Sequence, residues 1–171
     1  MSRFLSVAFI SLVFFSCSSK TGKRFFDYDE IIHYSNNFDG FKLQELYETP
    51  SKSPIDSLKL NVITGNTPKD ISDLSFIGNL HEIGYVETNI DKSKFADIDK
   101  IFVEKSVDES LSTSCISIYR DILLFKKQKT VIGMAKICFE CMNSQITGTT
   151  ASTGNFGQDG DYSRLQKVLR R

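Results

Sequence analysis

Two β-rich runs separated by a short polar bridge constrain this chain more than any other feature. Residues 115–125 read Cys-Ile-Ser-Ile-Tyr-Arg-Asp-Ile-Leu-Leu-Phe, and residues 131–139 read Val-Ile-Gly-Met-Ala-Lys-Ile-Cys-Phe. Between them lies Lys126-Lys-Gln-Lys-Thr130. β-Branched and aromatic residues fit a pleated, half-buried surface. Consecutive strands with so short a connection pair antiparallel, so the segment predicts a β-hairpin with a basic tip. The tip holds no Gly or Asn, so the sequence does not specify its turn type.

A hairpin this apolar needs covering elements. Glu30-Ile-Ile-His-Tyr34 is a short apolar run that fits a strand or a helical turn. Phe41 to Glu48 carries Leu43, Leu46 and Tyr47 and ends before Pro50, as a short helix does. Asp70 to His81 reads as the clearest helix of the first half. Asp70 or Ser72 can cap it, Ile71, Leu74, Ile77 and Leu80 recur along it, and Gly84 can end it. Ser93 can cap another helix bearing Phe95, Ile98, Ile101 and Phe102. Asp161 can cap a last helix running to Arg170, with Leu165, Val168 and Leu169 inward. All three prolines lie between Pro50 and Pro68, which makes Thr49 to Pro54 a loop. Residues 143–160 form a second breaker cluster. The order predicts a single α+β domain over 25–171. Short helices of the first half pack on an antiparallel sheet containing the 115–139 hairpin, and a helix closes the chain.

The 171 residues hold 21 Lys+Arg and 21 Asp+Glu, so net charge is zero. That argues against nucleic acid held by bulk positive charge. The first 16 residues stand apart from the domain. Arg3 precedes an apolar run from Phe4 to Phe15, broken only by Ser6 and Ser11. The run is shorter than the ~20 residues needed to span a bilayer, and it matches a secretory signal peptide. It stops at Ser16-Cys17 and turns polar at Ser18-Ser19-Lys20. This junction resembles a bacterial lipoprotein lipobox, with Ser16 as the small residue before the lipidated cysteine; Phe14 and Phe15 depart from the usual Leu and small residue. The resemblance implies lipid on Cys17, a tether over 17–24 and attachment to a membrane of the bacterial cell envelope. The lack of an acidic residue behind Cys17 favours the outer membrane by the same resemblance. The stretch from Tyr119 to Phe125 through Ile137-Cys-Phe-Glu-Cys141 also resembles the C-terminal pattern of small uncharacterised bacterial envelope lipoproteins. That pattern implies no catalytic residue.

With Cys17 lipidated, Cys115, Cys138 and Cys141 remain. An oxidising envelope makes a disulfide the default, and an odd count leaves one thiol over. A three-residue tip, Lys127 to Lys129, pairs Lys126 with Thr130 and sets Cys115 opposite Cys141. Cross-strand neighbours lie near disulfide range. Cys138 and Cys141 lie about 10 Å apart if the strand stays extended, at roughly 3.3 Å per residue. Bonding them requires the strand to turn near Cys138. Cys115–Cys141 with a buried Cys138 thiol is therefore the favoured arrangement. A redox pair of Cys138 and Cys141 is the alternative.

Other constellations carry less. His33 lies in an apolar run and reads as a packed core residue; His81 ends the 70–81 helix. Neither accompanies a Gly-x-Ser-x-Gly elbow. Asn155 to Asp161 spaces oxygen ligands by two but lacks the later Glu of a calcium loop, so it reads as a turn and a cap. No phosphate loop or dinucleotide glycine pattern occurs, and no cofactor is implied. Asp121 comes near Lys136 in the hairpin, which predicts a cross-strand ion pair. The reading that follows is a lipid-anchored, non-enzymatic envelope protein that binds or inhibits a protein or small-molecule partner, with thiol redox chemistry as its rival.

Overall fold

The computed structural model describes residues 22–106 and 115–170. The apolar run and Cys17 lie outside the described residues. Five antiparallel strands form one sheet: β1 (Glu30–Ser35), β2 (Val86–Asn89), β3 (Asp121–Lys127), β4 (Thr130–Cys138) and β5 (Asn143–Thr147), in the order β2-β1-β3-β4-β5. Four α-helices accompany them: α1 (Phe41–Glu48), α2 (Pro54–Thr64), α3 (Phe95–Ile101) and α4 (Asp161–Leu169). The class is α+β with a C-terminal helix, as expected. Among the described residues no helix is long and apolar enough to cross a membrane.

Both faces of the sheet are buried, which explains why β1, β3 and β4 read as continuous rather than alternating apolar runs. One face carries Ile31, Leu123, Phe125, Ala135 and Ile137 beneath Ile98, Ile101 and Phe102 of the α3 region and Leu165 of α4. Phe25, Phe26, Tyr28 and Phe156 complete this aromatic side. Phe26 stacks on Phe125 at a centroid distance of 4.3 Å. The Phe26 ring leaves no room at Gly133, where a Cβ would meet it at 2.2 Å. The other face carries Ile32, Tyr34, Ile122, Leu124 and Met134 beneath Val62 of α2 and the segment Phe76 to Tyr85.

Two segments differ from expectation. Residues 70–81 form turns and a 3-10 helix, Ser75–Asn79, rather than an α-helix. The apolar residues recur every third position, which is the 3-10 period. Asp70 accepts from the backbone N–H of Ser72, and Ser75 Oγ donates to Asp73 at 3.3 Å. Such local bonds compete with the helical ladder. The second difference is α2, which composition alone assigns to a loop at its start. Ser53 caps it by accepting from Asp56 N, Pro54 occupies the first turn, and Gly65 ends it at φ 88°. Before α3 the cap is Asp91, which accepts from Ser93 N. The N-cap position of α4 is Gly160 rather than Asp161; Asp161 lies within the first turn, buried and bonded to Lys105 and Arg164.

The hairpin is real, but its register is not the expected one. The tip is the two-residue loop Gln128-Lys129, both at positive φ (48° and 69°). Lys127 pairs with Thr130 and Lys126 with Val131, but Phe125 pairs with Gly133, so Ile132 is an extra residue. This bulge sets Asp121 opposite Ile137 and Lys136 opposite Ile122. One residue of slip sends a side chain to the other face. Asp121 and Lys136 therefore point to opposite faces, and no ion pair joins them. Residues 115–120 leave the sheet: Tyr119 N donates to Ile63 O at 2.9 Å, at the end of α2.

The N-terminal segment is pinned earlier than the 17–24 tether implies. Arg24 bridges Val103, Glu104 N donates to Lys23 O at 2.9 Å, and Lys23 N donates to Glu104 Oε2 at 3.3 Å. The N–H groups of Ser152 and Lys23 hold the Glu104 carboxyl below its usual range.

Candidate functional site: a polar cleft beside a cysteine cluster

At one end of the sheet the strands expose polar residues around a cleft of about 540 Å³. That volume suits a small molecule. Ser35 closes β1, Asp121 opens β3, and the turn after β4 contributes Phe139 and Glu140. Thr88 enters from β2, Asn36 and Arg120 flank the strands, and Leu169 and Arg170 come from the end of α4.

Two polar pairs organise the floor. His33 Nε2 lies 2.8 Å from Asp121 Oδ1, both side chains largely buried. Register explains the pair: His33 faces Leu123 and Ser35 faces Asp121, so the two share one sheet face two residues apart along β1. His33 is packed as the sequence implies, yet it also lines the cleft. Among the described residues, no hydroxyl or thiol is hydrogen-bonded to its ring. Arg120 Nη1 meets Glu140 at 2.8 Å while its Nε donates to Phe38 O at 2.8 Å. The second clamp fixes the guanidinium against the backbone, so one nitrogen set remains directed by structure rather than by solvent. The cleft thus offers donors and acceptors of both signs in near balance. His81 stands apart, exposed and 3.8 Å from Glu87.

The opposite sheet face holds a second buried polar group. Lys136 is 1% exposed and donates to Val62 O and to Thr67 O at 2.7 Å. Val62 lies in the last turn of α2, where the Lys136 cation adds to a carbonyl that also accepts the Gly65 N–H. The Lys136 ammonium also sits 5.0 Å above the Tyr119 ring. Burial without a carboxylate partner pushes its pKa down from 10.5 to about 7. No periodicity signals this residue, because both faces of β4 are buried around it.

The cysteines gather at the foot of the same turn that lines the cleft. Cys115 and Cys141 are bonded, with Cα atoms 5.7 Å apart. The bonded pair is the favoured one, but the route differs: no hairpin register aligns it, since residues 115–120 have left the sheet. Cys138 is free and buried at the end of β4. The strand does turn there, at residues 139–142, with Met142 at φ 47° and Asn143 already pairing back to Cys138. Cys138, Cys141 and Tyr119 pack together. Cys138 and Cys141 are not bonded to each other, although the turn their bond requires is present. Among the described residues no group of three His, Cys, Asp or Glu side chains can hold a metal ion.

Comparison of the chain with protein-family models, curated proteins and solved structures returns no match. The site is therefore read from its own residues.

Proposed function

We propose that this chain is a lipid-anchored bacterial envelope protein whose folded domain binds a small polar ligand in the cleft at the sheet end. The observation that carries the binding half is the cleft itself. Paired polar groups (His33 with Asp121, Arg120 with Glu140) surround a space of about 540 Å³. The two carboxylates (Asp121, Glu140) and two guanidiniums (Arg120, Arg170) of its lining suit a neutral or zwitterionic ligand that hydrogen-bonds, because a strongly ionic one would face like charges. The anchoring half rests on the Phe4 to Phe15 run and Ser16-Cys17. A Cys115–Cys141 bond fits an oxidising envelope. Two acyl chains on one cysteine make attachment stable where one is marginal.

Two measurements test this reading. Cys17→Ala releases the protein from the membrane fraction of expressing cells; retention there refutes the anchor. A thermal-shift panel of free amino acids, monosaccharides and disaccharides identifies stabilising ligands in wild type, and the shift disappears in Arg120→Ala. A panel without effect on wild type, or a shift that persists in Arg120→Ala, refutes the cleft as the site.

A further inference from the structure

We propose that Cys115, Cys138 and Cys141 form an internal thiol–disulfide exchange centre, in which the buried Cys138 thiol displaces Cys115 from Cys141. The proposal does not rest on the anchor or on the cleft's ligand. It rests on three placements. Cys141 is the shared sulfur, bonded to Cys115 and packed beside the free Cys138. Cys138 precedes the tight turn over 139–142 and Cys141 lies within it, with Cys138 paired to Asn143 across it. The chain reversal there, with the two side chains packed together, holds Cys138 and Cys141 closer than the ~10 Å of an extended strand and toward the range that a disulfide tolerates. Cys115 lies outside the packed cluster and is exposed, so the group that leaves is the one solvent can receive.

The step is an isomerisation. The Cys138 thiol gives its proton to solvent or to the Glu140 carboxylate, whose Oε2 lies 3.9 Å from the sulfur. The thiolate attacks Cys141 Sγ, the Cys138–Cys141 bond forms, and the Cys115–Cys141 bond breaks. Cys115 departs as a thiolate and takes a proton from water. One disulfide and one thiol exist before and after, so no oxidant or reductant enters. The outcome is the transfer of a hidden thiol to the surface. A buried free thiol alone is inert; this one is placed against the one disulfide among the described residues.

Alkylation under native conditions separates exchange from simple exposure. Full-length protein in detergent, without reductant, is incubated with iodoacetamide at pH 8, and each cysteine is followed by peptide mass spectrometry, so Cys17 is scored separately. The expected label falls on Cys115, one per chain, leaving Cys138 and Cys141 bonded to each other. Its rate is independent of protein concentration. In Cys138→Ala and Cys138→Ser, both shown to be folded by near-UV circular dichroism, Cys115 labels at least tenfold more slowly. Label on Cys138 with the Cys115–Cys141 bond intact overturns the proposal. So does an absence of label on Cys115, or equal Cys115 labelling in wild type and both variants.

Discussion

The stability of this fold should climb with pH above neutrality, and Lys136 is the reason. Its ammonium is buried against two carbonyls with no acid nearby, and its pKa falls to about 7 in the folded protein. The unfolded chain holds that proton until about 10.4, the ordinary lysine value. Between these values the unfolded state binds more protons, so unfolding becomes harder as pH rises. Below pH 7 both states are protonated and the full penalty of burying the charge applies. Linkage with these two pKa values gives about 2 kcal/mol of added stability from pH 7.5 to 9. Folded-state burial raises the pKa values of Tyr28, Tyr34 and Tyr85, whose effect begins only above pH 10, as the unfolded tyrosines ionise. Urea unfolding of the Cys138→Ala chain at several pH values measures the slope without a free thiol in the window. Lys136→Met in the same background should flatten it. The substitution strands the Thr67 carbonyl, at about 1–3 kcal/mol, while Val62 O keeps the Gly65 N–H, so the slope rather than the midpoint is the readout. A flat curve for the parent, or an unchanged slope in Lys136→Met, would refute the reasoning.

Two further outcomes follow from packing and capping. Gly133→Ala drives a methyl into the Phe26 ring in the middle of the sheet, and should cost about 2–3 kcal/mol in urea unfolding, the upper range for overpacked cores; a loss below 0.5 kcal/mol contradicts it. Ser53→Ala removes the oxygen that accepts from Asp56 N and should cost about 1 kcal/mol, whereas Ser53→Asp should restore most of it.

The residues explain which parts of this fold were legible. The apolar strands β3 and β4 announce themselves because every position is buried or nearly so. The α4 stripe and the short α1 are likewise readable from spacing. α2 carries the full punctuation of a helix, from Ser53-Pro54 to Gly65, yet a cluster of prolines and serines suggests a loop to a reader of composition. The hairpin tip is illegible because Gln128 and Lys129 adopt positive φ without the Asn or Gly that usually mark it. Ile132 is illegible for a deeper reason. A bulge leaves no compositional mark, and its effect appears only in where other side chains end up. It separates Asp121 from Lys136 and leaves Lys136 to the carbonyls of the other face. The cleft could not be found from sequence, because His33 and Asp121 meet only through the β1–β3 register, and Arg120 and Glu140 only through the turn after β4.

The pinning of Lys23 and Arg24 onto Glu104 and Val103 has a consequence for where such a domain can act. With lipid on Cys17, six residue steps separate the anchor from the first fixed backbone, a leash of about 20 Å at full stretch. A domain of this size is itself roughly 40 Å across. On such an anchor, a ligand bound in the cleft would lie within some 60 Å of the bilayer that holds the lipid. The protein would patrol a thin layer over one membrane, searching in two dimensions, and would be deaf to events across a wider gap.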